Sequence, residues 1–298
     1  MASPELERLL QVLRAFQPKP GVEPSIEQLR KGLERMTSLA ALPSDLTCQR
    51  LWAHGVPVEW IETPQSTPGR VILYLHGGGY VMGSVDTHKD LMARLARSAG
   101  ARVLGVDYRL APEHPFPAAL DDARQAYRWV LEQGIDPRDI VIAGDSAGGG
   151  LTVATLVSLR DLGAPMPAAA ACLSPWVDLE GVGESMTARA HLDPMIRVEP
   201  LRRLGKLYLA GTPARHPLAA PMYADLEGLP PMLIQVGTAE TLHDDAARLA
   251  ERARRAGVEV TLEPWDEMIH VWHAFASILP EGQKALDRIG AFVREKLG

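Results

Sequence analysis

The chain has 298 residues, 46% of them hydrophobic and 23% charged, which supplies material for a sizeable core and too little charge bias for a disordered segment. Its formal net charge of −6, with no long basic block, argues against nucleic acid as a partner. No apolar stretch approaches the roughly 18 residues of a membrane span. The acidic opening Met1-Ala2-Ser3-Pro4-Glu5-Leu6-Glu7 lacks the basic and apolar regions of a signal peptide, so a cytoplasmic setting is expected. Cys48 and Cys172 are too far apart in sequence to suggest a disulfide framework or a metal site.

Leu6, Leu9, Leu10, Leu13 and Phe16 fall on one helical face, and Ser25-Ile26-Glu27-Gln28 is a capping-box start for a second helix carrying Leu29, Leu33 and Met36. Both apolar faces need a surface to bury against. They either simply pack on the main domain or form a cap that also shapes a pocket. From about residue 50 strands alternate with helices. The first strand signal is Val56-Pro57-Val58-Glu59-Trp60-Ile61, whose proline fits an edge strand or a strand start. Apolar runs at 71–75, 102–106, 140–143, 168–173 and 232–236 read as buried strands, with a last strand at 258–263. Helical patterns fall at 86–99, 117–133, 146–161, 243–257 and 281–296. This βαβ repetition predicts an α/β fold with a mostly parallel central sheet flanked by helices. Residues 176–228 break the rhythm with prolines, glycines, a weak helix near 199–210 and no clear strand. They predict an insertion above the carboxyl edge of the sheet, where open α/β sheets bind ligands.

The strand run Ile140-Val141-Ile142-Ala143 leads into Gly144-Asp145-Ser146-Ala147-Gly148, a G-x-S-x-G pentapeptide. A serine on a tight strand-to-helix turn projects its hydroxyl into a cavity, and the small flanking residues admit the backbone close by. The strand Val71-Ile72-Leu73-Tyr74-Leu75 leads likewise into His76-Gly77-Gly78-Gly79-Tyr80, where three glycines let backbone N–H groups face a cavity as an oxyanion hole. A phosphate cradle is the weaker reading, since neither G-x-G-x-x-G nor a P-loop Lys-Ser/Thr is present.

With Asp107-Tyr108-Arg109-Leu110-Ala111-Pro112-Glu113-His114-Pro115-Phe116-Pro117-Ala118-Ala119, Ser174-Pro175-Trp176 and Met268-Ile269-His270, these motifs stand in an order that resembles the hormone-sensitive-lipase-like esterases, bacterial family IV of the α/β-hydrolases. The resemblance covers about residue 50 to the end. It implies an α/β-hydrolase fold with a helical cap: cap helices in 1–45, a catalytic domain in 46–298 and a cap insertion at 176–228. It also implies Ser146 as nucleophile and an oxyanion hole from the N–H groups of Gly78, Gly79 and Ala147.

In this fold the acid and then the histidine follow the serine. Five histidines follow Ser146, namely His191, His216, His243, His270 and His273. His270 sits in the loop after the last strand, where the family has its base, and His273 reads as a packed or hydrogen-bonded neighbour. Most relatives carry Asp-Pro-Leu as the acid motif, whereas this chain has Gly237-Thr238-Ala239-Glu240-Thr241-Leu242-His243-Asp244-Asp245. Aligning Leu242 with the family's leucine puts Glu240 at the acid position, with Asp244 the alternative. Asp145, Asp107, Arg109 and Glu113 read as paired structural charges holding a loop near the site. Tyr80, Met82 and Trp176 are candidate pocket walls.

The expected activity is hydrolysis of short-chain esters through an acyl-enzyme, with no cofactor or metal and with a small-molecule ester as partner. An amidase, a lactone hydrolase or a deacetylase would use the same machinery. A non-catalytic ligand-binding relative would have lost part of it. The resemblance further implies a homodimer joined through an edge strand.

Overall fold

The structure, a computed structural model, describes residues 3–15, 17, 23–37 and 42–298. Phe16 of the predicted first helical face lies outside them. Eight strands form one sheet: β1 (Thr47–Ala53), β2 (Val56–Glu62), β3 (Thr67–Leu75), β4 (Ala101–Val106), β5 (Ile140–Asp145), β6 (Ala169–Leu173), β7 (Met232–Gly237) and β8 (Val260–Trp265). Their spatial order is β1-β2-β4-β3-β5-β6-β7-β8. β2 runs antiparallel to both its neighbours, and every pairing from β4 to β8 is parallel.

The buried parallel strands are near-continuous apolar runs because both faces are covered. Alternation within β3 divides the core in two. Val71, Leu73 and Leu75 point to one face, packed with α4 (Ala118–Glu132), α5 (Ala147–Asp161) and α8 (His243–Arg255). Ile72 and Tyr74 point to the other, packed with α3 (Val85–Ala99) and α9 (Pro280–Leu297). α5 is buried on every side from Ala147 to Leu159 and mostly apolar, its Thr152 and Thr155 hydroxyls donating back to the carbonyls of Gly148 and Leu151.

One strand departs from the sequence expectation. β1 carried no anticipated signal, because its residues from Thr47 to Arg50 are exposed and do not alternate as a half-buried strand does. It is fixed instead by a tight hairpin to β2, whose turn residues His54 and Gly55 have φ of 49° and 87°. Two successive positive φ values suit the twist of a two-residue hairpin, usually written Asn-Gly or Asp-Gly in sequence. β2 is therefore an interior strand, and Pro57 is tolerated because it is the second residue of the strand.

Helix α1 (Pro4–Ala15) buries Leu6 and Leu9 in a cluster with Ile269, Trp272 and Phe275. A helix of this length is marginal alone, and each buried leucine contributes about 2 kcal/mol. Helix α2 (Ile26–Thr37) is anchored by Arg30, which donates to the carbonyls of Val81 and Ala111 and pairs with Glu113. Between β6 and β7 the chain carries the short helix α6 (Ser185–Ala188) and the regular helix α7 (Val198–Leu209), and no strand. α7 meets the glycine loop after β3: a Cβ on Gly79 would lie 2.6 Å from Leu204 Cδ1.

Candidate active site

Ser146, His76, Glu240 and His270 all follow the carboxyl ends of parallel strands, β5, β3, β7 and β8 respectively. Ser146 is held at φ 52° and ψ −119°, outside the ordinary regions for a residue with a side chain. The strain persists because neighbours fix both sides of the turn. Its N–H donates to Leu173 O at 2.8 Å, and its carbonyl accepts from Gly150 and Trp176. Gly148 is obligatory here, since a Cβ would lie 1.9 Å from Leu75 O.

The serine hydroxyl lies 2.9 Å from His270 Nε2, and His270 Nδ1 lies 2.7 Å from Glu240 Oε2. All three residues are buried. With Nδ1–H donating to the carboxylate, Nε2 presents its lone pair to the serine O–H. The other carboxylate oxygen, Oε1, accepts from Gly237 N–H at 2.5 Å and from Ser174 O–H at 2.9 Å. Burial pushes the His270 imidazole down. The hydrogen bond and charge of Glu240, with Asp193 and Asp145 behind it, outweigh that and hold it above its ordinary 6.5.

Asp244 does not enter this chain of bonds. Its carboxylate accepts from Ser185 N–H and lies beside His243, in the first turn of α8. His273 is buried with Nε2 at 2.8 Å from Gln235 Oε1, and burial holds it near 3, as a neutral ring.

In the glycine loop, Gly78 has φ 117° and a Cβ there would lie 2.2 Å from Met82 O, so only glycine fits. Among the described residues the N–H groups of Gly78 and Gly79 have no protein acceptor, and Ala147 N–H is free as the first residue of α5. The loop is fixed from below. Gly77 N–H donates to Asp145 Oδ1 at 3.0 Å, and Tyr74 O–H donates to the same oxygen at 2.8 Å. Burial pushes the Asp145 carboxyl up, but His88 at 3.3 Å and the Tyr74 hydroxyl bring it down to about 2.

The remaining charges of this region pair locally. Asp107 accepts Val85 N–H at the start of α3, Arg109 forks onto Asp122, and Glu113 meets Arg30. Tyr80 stacks on Tyr208 of α7 with ring centroids 3.7 Å apart, and Trp176 lies 6.0 Å from Tyr80. Met82, two residues after Tyr80, is half-buried, its N–H donating to Gly78 O.

Ser174 was quoted in the sequence motifs without a role. Its hydroxyl donates to Glu240 and accepts from Val271 N–H at 3.1 Å, so one side chain joins the acid to the residue after His270. Asp193 carried no sequence signal, being a lone carboxylate in an irregular stretch.

A family described as the alpha/beta hydrolase fold matches residues 72–274. The chain is 47% identical over 300 residues to an acetyl-hydrolase of Streptomyces hygroscopicus, covering 100% of this chain and 99% of that protein. It is 36% identical over 265 residues to an esterase of Acinetobacter venetianus, covering 89% and 87%. A crystal structure of an esterase from the bacterial hormone-sensitive lipase family superposes with TM-score 0.96 at 51% identity over 100% of both chains. EstE5, solved after soaking with p-nitrophenyl butyrate, superposes with TM-score 0.97 at 47% identity over 99% of both. The chain therefore belongs to the hormone-sensitive-lipase-like esterases of the α/β-hydrolase superfamily, and is a carboxylesterase of the serine hydrolase class.

Proposed function

We propose that the chain hydrolyses short-chain carboxylic esters through a Ser146–His270–Glu240 triad and an acyl-enzyme. The observation that carries this reading is the unbroken series of hydrogen bonds from Ser146 Oγ through both ring nitrogens of His270 to Glu240. His270 takes the serine proton as the hydroxyl attacks the ester carbonyl. Glu240 fixes the tautomer and stabilises the imidazolium. The carbonyl oxygen, turned oxyanion, accepts from the N–H groups of Gly78, Gly79 and Ala147. Protonated His270 then passes its proton to the departing alcohol, and water repeats the sequence on the acyl-enzyme.

Tyr80, Met82 and Trp176 are assigned to the pocket wall. Helices α1 and α2, with the insertion at 176–228, are assigned to a cap over it; contacts of α7 with the glycine loop and with Tyr80 support this. A homodimer joined through an edge strand is part of the same reading, and sedimentation velocity tests the dimer. The short acyl range is supported by relatives named acetyl-hydrolase and ethyl acetate hydrolase. The name of the Streptomyces relative, acetyl-hydrolase, also favours a second reading, removal of an acetyl group from a larger molecule.

The test is a p-nitrophenyl ester series from acetate to palmitate, on the wild type and on Ser146→Ala. Turnover confined to the short esters and abolished in the variant is expected. Turnover surviving in Ser146→Ala would overturn the mechanism.

A further inference from the structure

The stretch from Gly183 to Ile196 is bonded at several points to the turn that carries Glu240. Ser185 O–H donates to Thr241 O at 2.7 Å, and Ser185 and Asp244 exchange backbone-to-side-chain bonds at 2.9 and 3.0 Å. Arg189 donates to Thr238 O. Thr241 N–H, one residue from the acid, donates to Asp193 Oδ2 at 2.8 Å. The other oxygen of Asp193 accepts from the N–H groups of Met195 and Ile196 at 2.8 and 2.9 Å.

Asp193 is 4% exposed. Its bonding partners are all backbone amides, and among the described residues no cationic side chain pairs with it. While ionised, a buried carboxylate with no cationic partner leaves its negative field unneutralised, and that field favours positive charge on the groups around it. His270 becomes that charge in each acyl transfer, and the Asp193 charge acts on it.

Resting on the triad reading above, we propose that Asp193 is a positioning residue, which holds the Glu240 turn through Thr241 N–H and favours the imidazolium that His270 becomes. The ring of His270 touches Glu240 from the turn after β7 and Ser146 from the elbow, and the charges that act on it from further off are Asp145 of the elbow and Asp193 of the insertion, with His273 of its own loop neutral. His273 stays neutral, Glu240 is in direct contact, and Asp145 is tied to Tyr74, Gly77 and His88 beneath the glycine loop, so Asp193 is the countercharge that can be removed without disturbing the reacting atoms or the elbow.

Two variants separate this role from local capping. Asp193→Asn is isosteric but turns an amide N–H₂ toward one set of backbone donors. Asp193→Ser keeps a hydroxyl to accept from the following turn, while removing the charge and the bond to Thr241. Each is assayed on p-nitrophenyl acetate across pH, with rates normalised by active-site titration so that misfolded protein does not count. The expected result in at least one variant is a kcat about tenfold lower per titrated site. With it, the acid limb of kcat/KM moves down by about 0.5 pH or more, because losing a nearby negative charge disfavours the imidazolium. A merely structural residue would lower the titratable fraction and leave the limb in place. Ser146→Ala runs in the same assay. Turnover surviving there overturns the triad and this inference together; turnover abolished there with an unmoved limb in both Asp193 variants overturns this inference alone.

Discussion

Glu240 and Asp244 are one helical turn apart and both carboxylates, yet their surroundings assign them different work. Glu240 is fully buried and accepts from His270, Ser174 and Gly237, whereas Asp244 is engaged with Ser185 and His243. In the triad proposed above, Glu240→Gln keeps the shape but removes the charge that would fix the tautomer, and kcat should fall by about 10³- to 10⁴-fold. Asp244→Ala should stay within about threefold, because its losses lie at the start of α8. Steady-state kinetics of the two variants decide the assignment, and a larger loss in Asp244→Ala would reverse it. The pH profile follows from the same geometry. In the proposed mechanism His270 must be neutral to accept the serine proton, and Glu240 holds it above 6.5. The acid limb of kcat/KM should therefore have its midpoint above 6.5, and a midpoint below it would contradict the charged pair. The sequence left the two carboxylates to be decided by an alignment of Leu242, because chain order and spacing admit either one. Ser174 and Asp193 were less legible still. Their partners are backbone amides and side chains tens of residues away, which no local pattern encodes.

At the scale of elements, the site depends on how closely two turns approach. β5 and α5 meet at an elbow whose glycines stand where any Cβ would strike the neighbouring loop. Gly148→Ala puts a Cβ 1.9 Å from Leu75 O, a backbone atom that cannot rotate away. The variant should lose about 3 kcal/mol or more of stability together with its activity. A denaturant titration showing less than about 1 kcal/mol of loss would mean that the elbow relaxes more freely than its contacts imply. The βαβ elements were readable because buried parallel strands are apolar runs and their helices keep a 3.6-residue period. β1 was not readable, since an exposed edge strand needs no apolar pattern and its hairpin turn is His54-Gly55 in place of the commoner residues. The regular helix α7 was visible only weakly within a stretch rich in glycine and proline.

Across the whole molecule, the insertion joins the sheet through a buried charge cluster. Asp245 of α8 accepts from the N–H groups of Val177 and Asp178, and its second oxygen has no partner among the described residues. Asp178 is paired with Arg248 and accepts from Tyr223 O–H. Burial pushes the Asp245 carboxyl up to about 7, with the Asp178 charge adding to it against the two amides and Arg248. A carboxyl raised in the folded state contributes stability that is present below its unfolded value of 3.8 and lost as pH rises through about 7. Asp245→Asn, which cannot ionise, should therefore gain melting temperature relative to the wild type between pH 4 and pH 8. A difference that does not change with pH would show that Asp245 stays charged or neutral throughout. The sequence by itself determined the fold class, the elbow and the glycine loop. Those features are set by local periodicity and by small residues at tight turns. Only the tertiary structure decided which carboxylate reaches His270, what holds that carboxylate in place and which buried charges stand behind it. These depend on contacts between residues far apart in the chain, where packing and the exclusion of water fix the electrostatics.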